Sequence, residues 1–207
     1  MRYDEFEEKT NYVEEPDLAG YYTASDFMKW SYQGFVELIR GKIFKMAAAP
    51  STAHQVTAKN LVKRFFRAFD TTPCQFFFAP FNVYLLREGE DHHAGTSVVE
   101  PDICVVCDSS KIKSKGCFGV PDLIVEVLSP FNAKNDTQLK YALYEEYGVK
   151  EYWIVDPMGF TVSQNILDNG VFRPFRLNEP KQQLQSVLFP DLTITLHEVF
   201  PNMSFED

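Results

Sequence analysis

Val120-Pro-Asp-Leu-Ile-Val-Glu-Val-Leu-Ser-Pro130 sets one acid, Glu126, inside an apolar run from Leu123 to Leu128. The run is bounded by prolines and rich in β-branched residues, so it reads as a buried strand. Alternation puts Asp122, Ile124, Glu126 and Leu128 on one face, and Leu123, Val125 and Val127 on the other. The neighbours of Glu126 on its own face are apolar, so pattern alone does not send it to solvent. An ionised carboxylate buried there costs several kcal/mol, roughly, unless a cation or a hydrogen-bond donor meets it. Upstream, Val99-Glu100-Pro101-Asp102-Ile103 repeats the theme with an acid at the mouth of a second apolar strand. Downstream, Lys140 lies in a segment with helical spacing.

If Asp102 heads the strand beside Glu126, the two carboxylates converge on one hard cation. Mg²⁺ or Mn²⁺ suits such a pair, since it takes oxygen ligands and needs only one or two protein carboxylates. A bound divalent ion polarises a phosphodiester and lowers the pKa of an attacking water. An ammonium nearby orients that water or steadies charge developing on phosphorus. Lys140 has two readings: that ammonium, or an i,i+4 surface pair with Asp136.

The remainder of the chain is consistent with one globular domain. With 207 residues, 45% apolar and 15% aromatic content, it has ample material for a packed core. No apolar run is long enough to span a bilayer. The acidic N-terminus lacks the apolar stretch of a secretory signal. Residues 1–20 read as an acidic arm and 21–207 as one domain. Cys74, Cys104, Cys107 and Cys117 are too few and too irregular for a disulfide framework. On a strand, Cys104 and Cys107 point to opposite faces. Buried free thiols in a reducing cytoplasm are therefore expected. The net charge of −9 counts against a nucleic-acid partner, but eight acids against three bases in residues 1–30 account for more than half of it.

The expected order is β-β-α-β-β-β-α-β-β-β, an α/β fold with a central mixed sheet flanked by helices and extra β-hairpins. A hairpin turns at Arg40-Gly41. A helix capped by Ser51 or Thr52 runs to Phe69, with Ala58, Leu61, Val62, Phe65, Phe66 and Phe69 towards the core. Lys59, Lys63 and Arg67 line another face, either solvated or meeting phosphate. A strand spans 75–86 with a break at Pro80, and strands follow at 102–107 and 121–128. A helix over 132–147 ends at Gly148. Then come a strand at 151–155, a hairpin around Asp168-Asn169-Gly170, and a final strand at 187–194. His92, His93 and His197 have no partners in a metal-ligand pattern, and Lys111, Lys113 and Lys115 lie in a loop.

The segments Glu100-Pro101-Asp102, Pro121-Asp122-Leu-Ile-Val-Glu126-Val-Leu-Ser-Pro130, Lys140-Tyr-Ala-Leu-Tyr144 and Gly148-Val-Lys-Glu-Tyr-Trp153-Ile-Val-Asp156-Pro157 closely resemble the Uma-two restriction-endonuclease family. That family belongs to the PD-(D/E)XK nuclease superfamily, and the resemblance extends over about Phe35 to Phe200. It implies a restriction-endonuclease-like core, Asp102 and Glu126 as metal ligands, and DNA as substrate. In the superfamily a lysine usually follows the second acid by two residues; here Leu128 stands there. The family resemblance implies a lysine relocated to the next helix, which Lys140 matches. It also implies Glu37 and His54 as supporting residues, with Glu37 as a possible further ligand. Asp122 is either part of the site or a structural fixture of the strand entry. A homodimer would supply two active sites for a duplex. The rival expectations are an inactive nuclease fold used for DNA binding or interaction, and a metal-dependent hydrolase of small phosphate esters. Steep weakening of binding with salt separates a DNA binder from the latter.

Overall fold

The computed structural model describes residues 17–30, 36–45, 50–129, 135–177, 179 and 182–201. Of the acidic arm, only 17–20 lie within them. In chain order the elements are α1 (Ala24–Phe27), β1 (Val36–Ile39), β2 (Lys42–Lys45), α2 (Thr52–Phe69), β3 (Gln75–Phe78), β4 (Val83–Tyr84), β5 (Val98–Val99) and β6 (Ile103–Val106). There follow β7 (Ile112–Lys113), β8 (Gly116–Phe118), β9 (Leu123–Val127), a π-helical stretch (Asn135–Lys140), α3 (Tyr141–Tyr147) and β10 (Glu151–Asp156). The chain closes with β11 (Thr161–Asp168), β12 (Val171–Leu177), β13 (Gln183–Gln185), β14 (Thr193–Thr195) and α4 (Leu196–Val199).

The central sheet has the order β12-β11-β10-β9-β6-β3. Its β9–β10 pair is parallel and the others are antiparallel, so it is the mixed sheet expected. The parallel pair requires a crossover, and the π-helical stretch with α3 lies along it. One face carries Val105, Leu123, Val125, Trp153 and Val155, covered by Leu61, Phe65 and Phe69 of α2. Those three follow the i, i+4 spacing of a core-facing helix, and the Ser51 hydroxyl caps its start by accepting from His54 N. The other face carries Cys104, Ile124 and Tyr152, and meets Leu143 and Tyr144 of α3 together with Ile39, Val83 and Val99. These last three belong to a second sheet, of order β2-β1-β5-β4-β8-β7. No helix among the described residues is long and apolar enough to cross a membrane.

Several local expectations need correction. The strand expected at 75–86 is β3 and β4, parted at the cis Ala79–Pro80 bond and belonging to different sheets. Only part of the expected 187–194 strand forms: β14 begins at Thr193, and residues 187–191 leave the ladder. The cause is Glu151, whose Oε2 accepts from Val187 N and Leu188 N, taking both donors away from any ladder. Cys104 and Cys117 are buried thiols as expected, but Cys74 and Cys107 form a disulfide. The β3–β6 register pairs Gln75 with Val106, which brings Cys74 opposite Cys107.

Candidate active site

Strand β9 faces the interior between the two sheets with Ile124 and Glu126, as alternation requires. Glu37 on β1 has the same parity as Ile39, so it enters that interior from the opposite sheet. Between them stands Lys140, the last residue of the π-helical stretch. Its Nζ donates to Glu126 Oε1 at 2.9 Å and lies 2.8 Å from Glu37 Oε1. All three are nearly sealed from solvent: Glu37 is 5%, Glu126 3% and Lys140 3% exposed. Lys140 thus pairs with two buried carboxylates; the side chain of Asp136, its other expected partner, lies outside what is described.

Asp102 stands immediately before β6. The β6–β9 register pairs Ile103 with Val125, so one step further brings Asp102 level with Glu126. Asp102 Oδ2 accepts from Val127 N at 2.7 Å, and its Oδ1 lies 3.2 Å from His54 Nε2. His54 reaches it from the first turn of α2, where the Ser51 cap fixes the helix start. The five residues singled out from sequence, Glu37, His54, Asp102, Glu126 and Lys140, therefore gather where the two sheets, α2 and the π-helical stretch meet.

Asp122, on the same strand face two pairs earlier, does other work. Its Oδ2 accepts from Cys107 N at 2.9 Å and its Oδ1 pairs with Lys150 at 2.7 Å, tying the start of β9 to β6 and to the residue before β10. The histidine pair His92-His93 lies in the loop before β5; the two rings contact each other, and that of His92 meets Phe118.

Two residues of the site were not singled out for a role from sequence. Glu100 donates its backbone N–H to Glu37 Oε1 at 2.9 Å. Burial pushes its own carboxyl up from the usual carboxylate range; the charges of Glu37 and Asp102 add to this and Lys140 opposes it. Tyr144, fully buried, donates its hydroxyl to Glu126 Oε1 at 2.7 Å. Burial first, and then the charges of Glu126 and Glu37, hold its phenol well above the ordinary tyrosine value, so it remains a proton donor. Helical spacing could have found it, because Tyr144 follows Lys140 by one turn.

Glu37 and Glu126 thus share the Lys140 ammonium, with Glu100 joined to Glu37 through its backbone and the His54 imidazole against Asp102. The carboxylates of this cluster supply oxygen donors, the ligand type that suits a hard divalent cation. Among the described residues, no three His, Cys, Asp or Glu side chains already form a group that could hold a metal ion. The Lys140 ammonium itself fills the gap between Glu37 and Glu126. Asp102 and Glu126 fit a site in which two carboxylates and waters complete the coordination, as Mg²⁺ accepts.

Comparison with known proteins agrees with this architecture. A crystal structure of a putative nuclease belonging to DUF820 from Anabaena variabilis ATCC 29413 superposes with a TM-score of 0.68 at 20% identity, covering 86% of this chain and 97% of that one. At that identity the likeness establishes the fold, which is restriction-endonuclease-like. No protein of curated function matches. The family model Uma2, described as "Putative restriction endonuclease", matches residues 24–206, nearly the whole chain. The chain belongs to the Uma2 family.

Proposed function

We propose that the protein is a divalent-metal-dependent endonuclease that hydrolyses phosphodiester bonds in DNA. The arrangement that carries this reading is the buried Glu37–Lys140–Glu126 bridge with Asp102 level with Glu126. Asp102 and Glu126 would hold Mg²⁺ or Mn²⁺, and the ion when bound polarises the phosphodiester and acidifies water. The water oxygen bonds to phosphorus, the bond to the leaving oxygen breaks, and the products are a phosphomonoester and an alcohol. Lys140, as an ammonium, can donate but not accept, so its part is to orient that water and to steady charge on phosphorus. Glu37 shares the ammonium and so sets where Lys140 stands. His54 fixes the rotamer of Asp102 through Oδ1.

The same reading includes a homodimer, one active site for each strand of a duplex, and action in the cytoplasm. The Cys74–Cys107 disulfide counts against that compartment, since such bonds are rare where thiols are kept reduced. A second reading, a nuclease fold kept for DNA binding without catalysis, draws on the way Lys140 already fills the space between Glu37 and Glu126.

The test is cleavage of plasmid and single-stranded DNA with Mg²⁺ or Mn²⁺, comparing wild type with Glu126→Gln and Lys140→Ala. Metal-dependent nicking that both variants lose is the expected result. Nicking that survives both would place the activity elsewhere. DNA binding with no cleavage under any metal would favour the second reading.

A further inference from the structure

Glu126 Oε1 receives two donors from one helix face. Lys140 Nζ arrives at 2.9 Å and the Tyr144 hydroxyl at 2.7 Å, four residues apart and therefore stacked on adjacent turns. The two differ in what else holds them. Lys140 is shared with Glu37, so its ammonium is drawn towards both sheets at once. The Tyr144 ring is fixed by packing: it is fully buried and meets the Tyr152 ring edge-on at 5.0 Å. Tyr152 in turn pairs with Ile124 across β9–β10, two residues before Glu126 on the same face. The hydroxyl is thus anchored to the very strand whose carboxylate it meets.

A core position that only needed volume would take phenylalanine, since a buried hydroxyl without an acceptor is costly. Here the hydroxyl is aimed at a charged acceptor inside the site. A glutamate carboxylate turns about its last torsion with little preference, because sp³–sp² torsions are broad. A hydroxyl held by packing, meeting the same oxygen as the shared ammonium, restricts that rotation.

We propose that Tyr144 is a positioning residue: its hydroxyl sets the Glu126 carboxylate in the orientation in which, with Asp102, it takes a divalent cation. This rests on the assignment of Glu126 as a ligand made above. Outer partners of metal ligands typically contribute 10–100-fold to metal affinity.

The experiment is Mn²⁺ binding to the full chain, followed by electron paramagnetic resonance of the free ion, for wild type, Tyr144→Phe and Glu126→Gln. Near-ultraviolet circular dichroism at the assay temperature reports whether the core is intact, and binding measured well below the melting midpoint of Tyr144→Phe keeps the comparison between folded proteins. The expected result is loss of binding in Glu126→Gln and a dissociation constant raised about 10–100-fold in Tyr144→Phe, with the fold unchanged. Nicking by Tyr144→Phe should then recover towards the wild-type rate at saturating Mn²⁺, a split that a purely structural role would not produce. Tyr144→Phe binding Mn²⁺ within twofold of wild type, while Glu126→Gln fails to bind, overturns the proposal and leaves the metal site standing. Equal binding by Glu126→Gln and wild type overturns the metal assignment itself.

Discussion

Lys140→Met removes one positive charge from between two buried carboxylates while keeping the volume of the side chain. Glu37 and Glu126 are 5% and 3% exposed, so neither can turn to solvent for compensation. Breaking a buried ion pair by deleting one partner costs about 3–5 kcal/mol, mostly from the charge left behind. Here two carboxylates are left, which argues for the upper part of that range. For a chain of 207 residues each kcal/mol moves the melting midpoint by roughly 2–4 °C, so the shift should be about 6–20 °C. Urea unfolding with an unchanged slope is the assay, since the slope reports whether the same surface is exposed. The double variant Lys140→Met/Glu126→Gln should recover part of the loss, because it deletes one of the stranded charges. The coupling between the two positions should be on the order of 0.5–3 kcal/mol. A loss below about 1 kcal/mol, typical of an exposed pair, would refute the placement of the ammonium between the sheets. Strict additivity of the two changes would refute it as well.

The other predictions concern residues away from the candidate site. Glu151→Ala should destabilise the fold by more than about 3 kcal/mol in urea, since it strands three buried and two part-buried donors, a buried one costing about 1–3 kcal/mol. Those donors are Trp153 Nε1, Gln164 Nε2, Ser186 Oγ, Val187 N and Leu188 N. Amide exchange at Val187 and Leu188 should quicken in the variant, and unchanged exchange there would contradict the account of this segment. Glu146 bridges Arg40 and Arg87, and its hydrogen bond from Arg40 is the main cause holding its carboxyl below the usual value of 4.5, with Arg87 assisting. A carboxyl lowered by folding contributes stability above its unfolded value and loses it as pH falls through the folded one. The stability difference between wild type and Glu146→Gln should therefore be present at neutral pH, remain under about 1 kcal/mol for so exposed a cluster, and vanish in acid. Molar salt should shrink it too, and a difference that grew in acid would reverse the assigned sign.

How much of this was legible in the sequence follows from the range of the interactions. The facing of Glu126 came from alternation over five residues, and the frame of α2 from a stripe at helical spacing; both are local patterns. Glu37 and His54 came only from family resemblance, because the packing of β1 over β9 joins segments far apart in the chain, in two different sheets. The second sheet stayed hidden because β4, β5 and β7 are two residues each, too short to show a period. The Cys74–Cys107 bond required the β3–β6 register, which no spacing of cysteines reveals. Glu100 follows β5, so its approach to Glu37 depends on the single β1–β5 pair, Leu38 with Val98.

Glu126 and Glu151 bear nearly the same signature, an acid in or beside an apolar strand, yet they stand on opposite faces of the sheet and differ in kind. Ile154 pairs with Glu126 and Leu123 with Glu151, so parity sends Glu151 to the face covered by α2. There its two oxygens are surrounded by neutral donors from β10, β11 and the 186–188 segment, each fixed by backbone or packing. Nothing in that environment calls for a further ligand, and an acid so enclosed holds a fold together. Glu126 shares the Lys140 ammonium with Glu37, and the charge of Glu37 adds to the burial that raises the Glu100 carboxyl. Fixed neutral donors meet the Glu151 carboxylate, whereas Glu126 shares a charged donor with a second buried carboxylate, Glu37. A buried acid on a strand is therefore no pointer to catalysis by itself; the charge balance of what surrounds it decides which of the two it is.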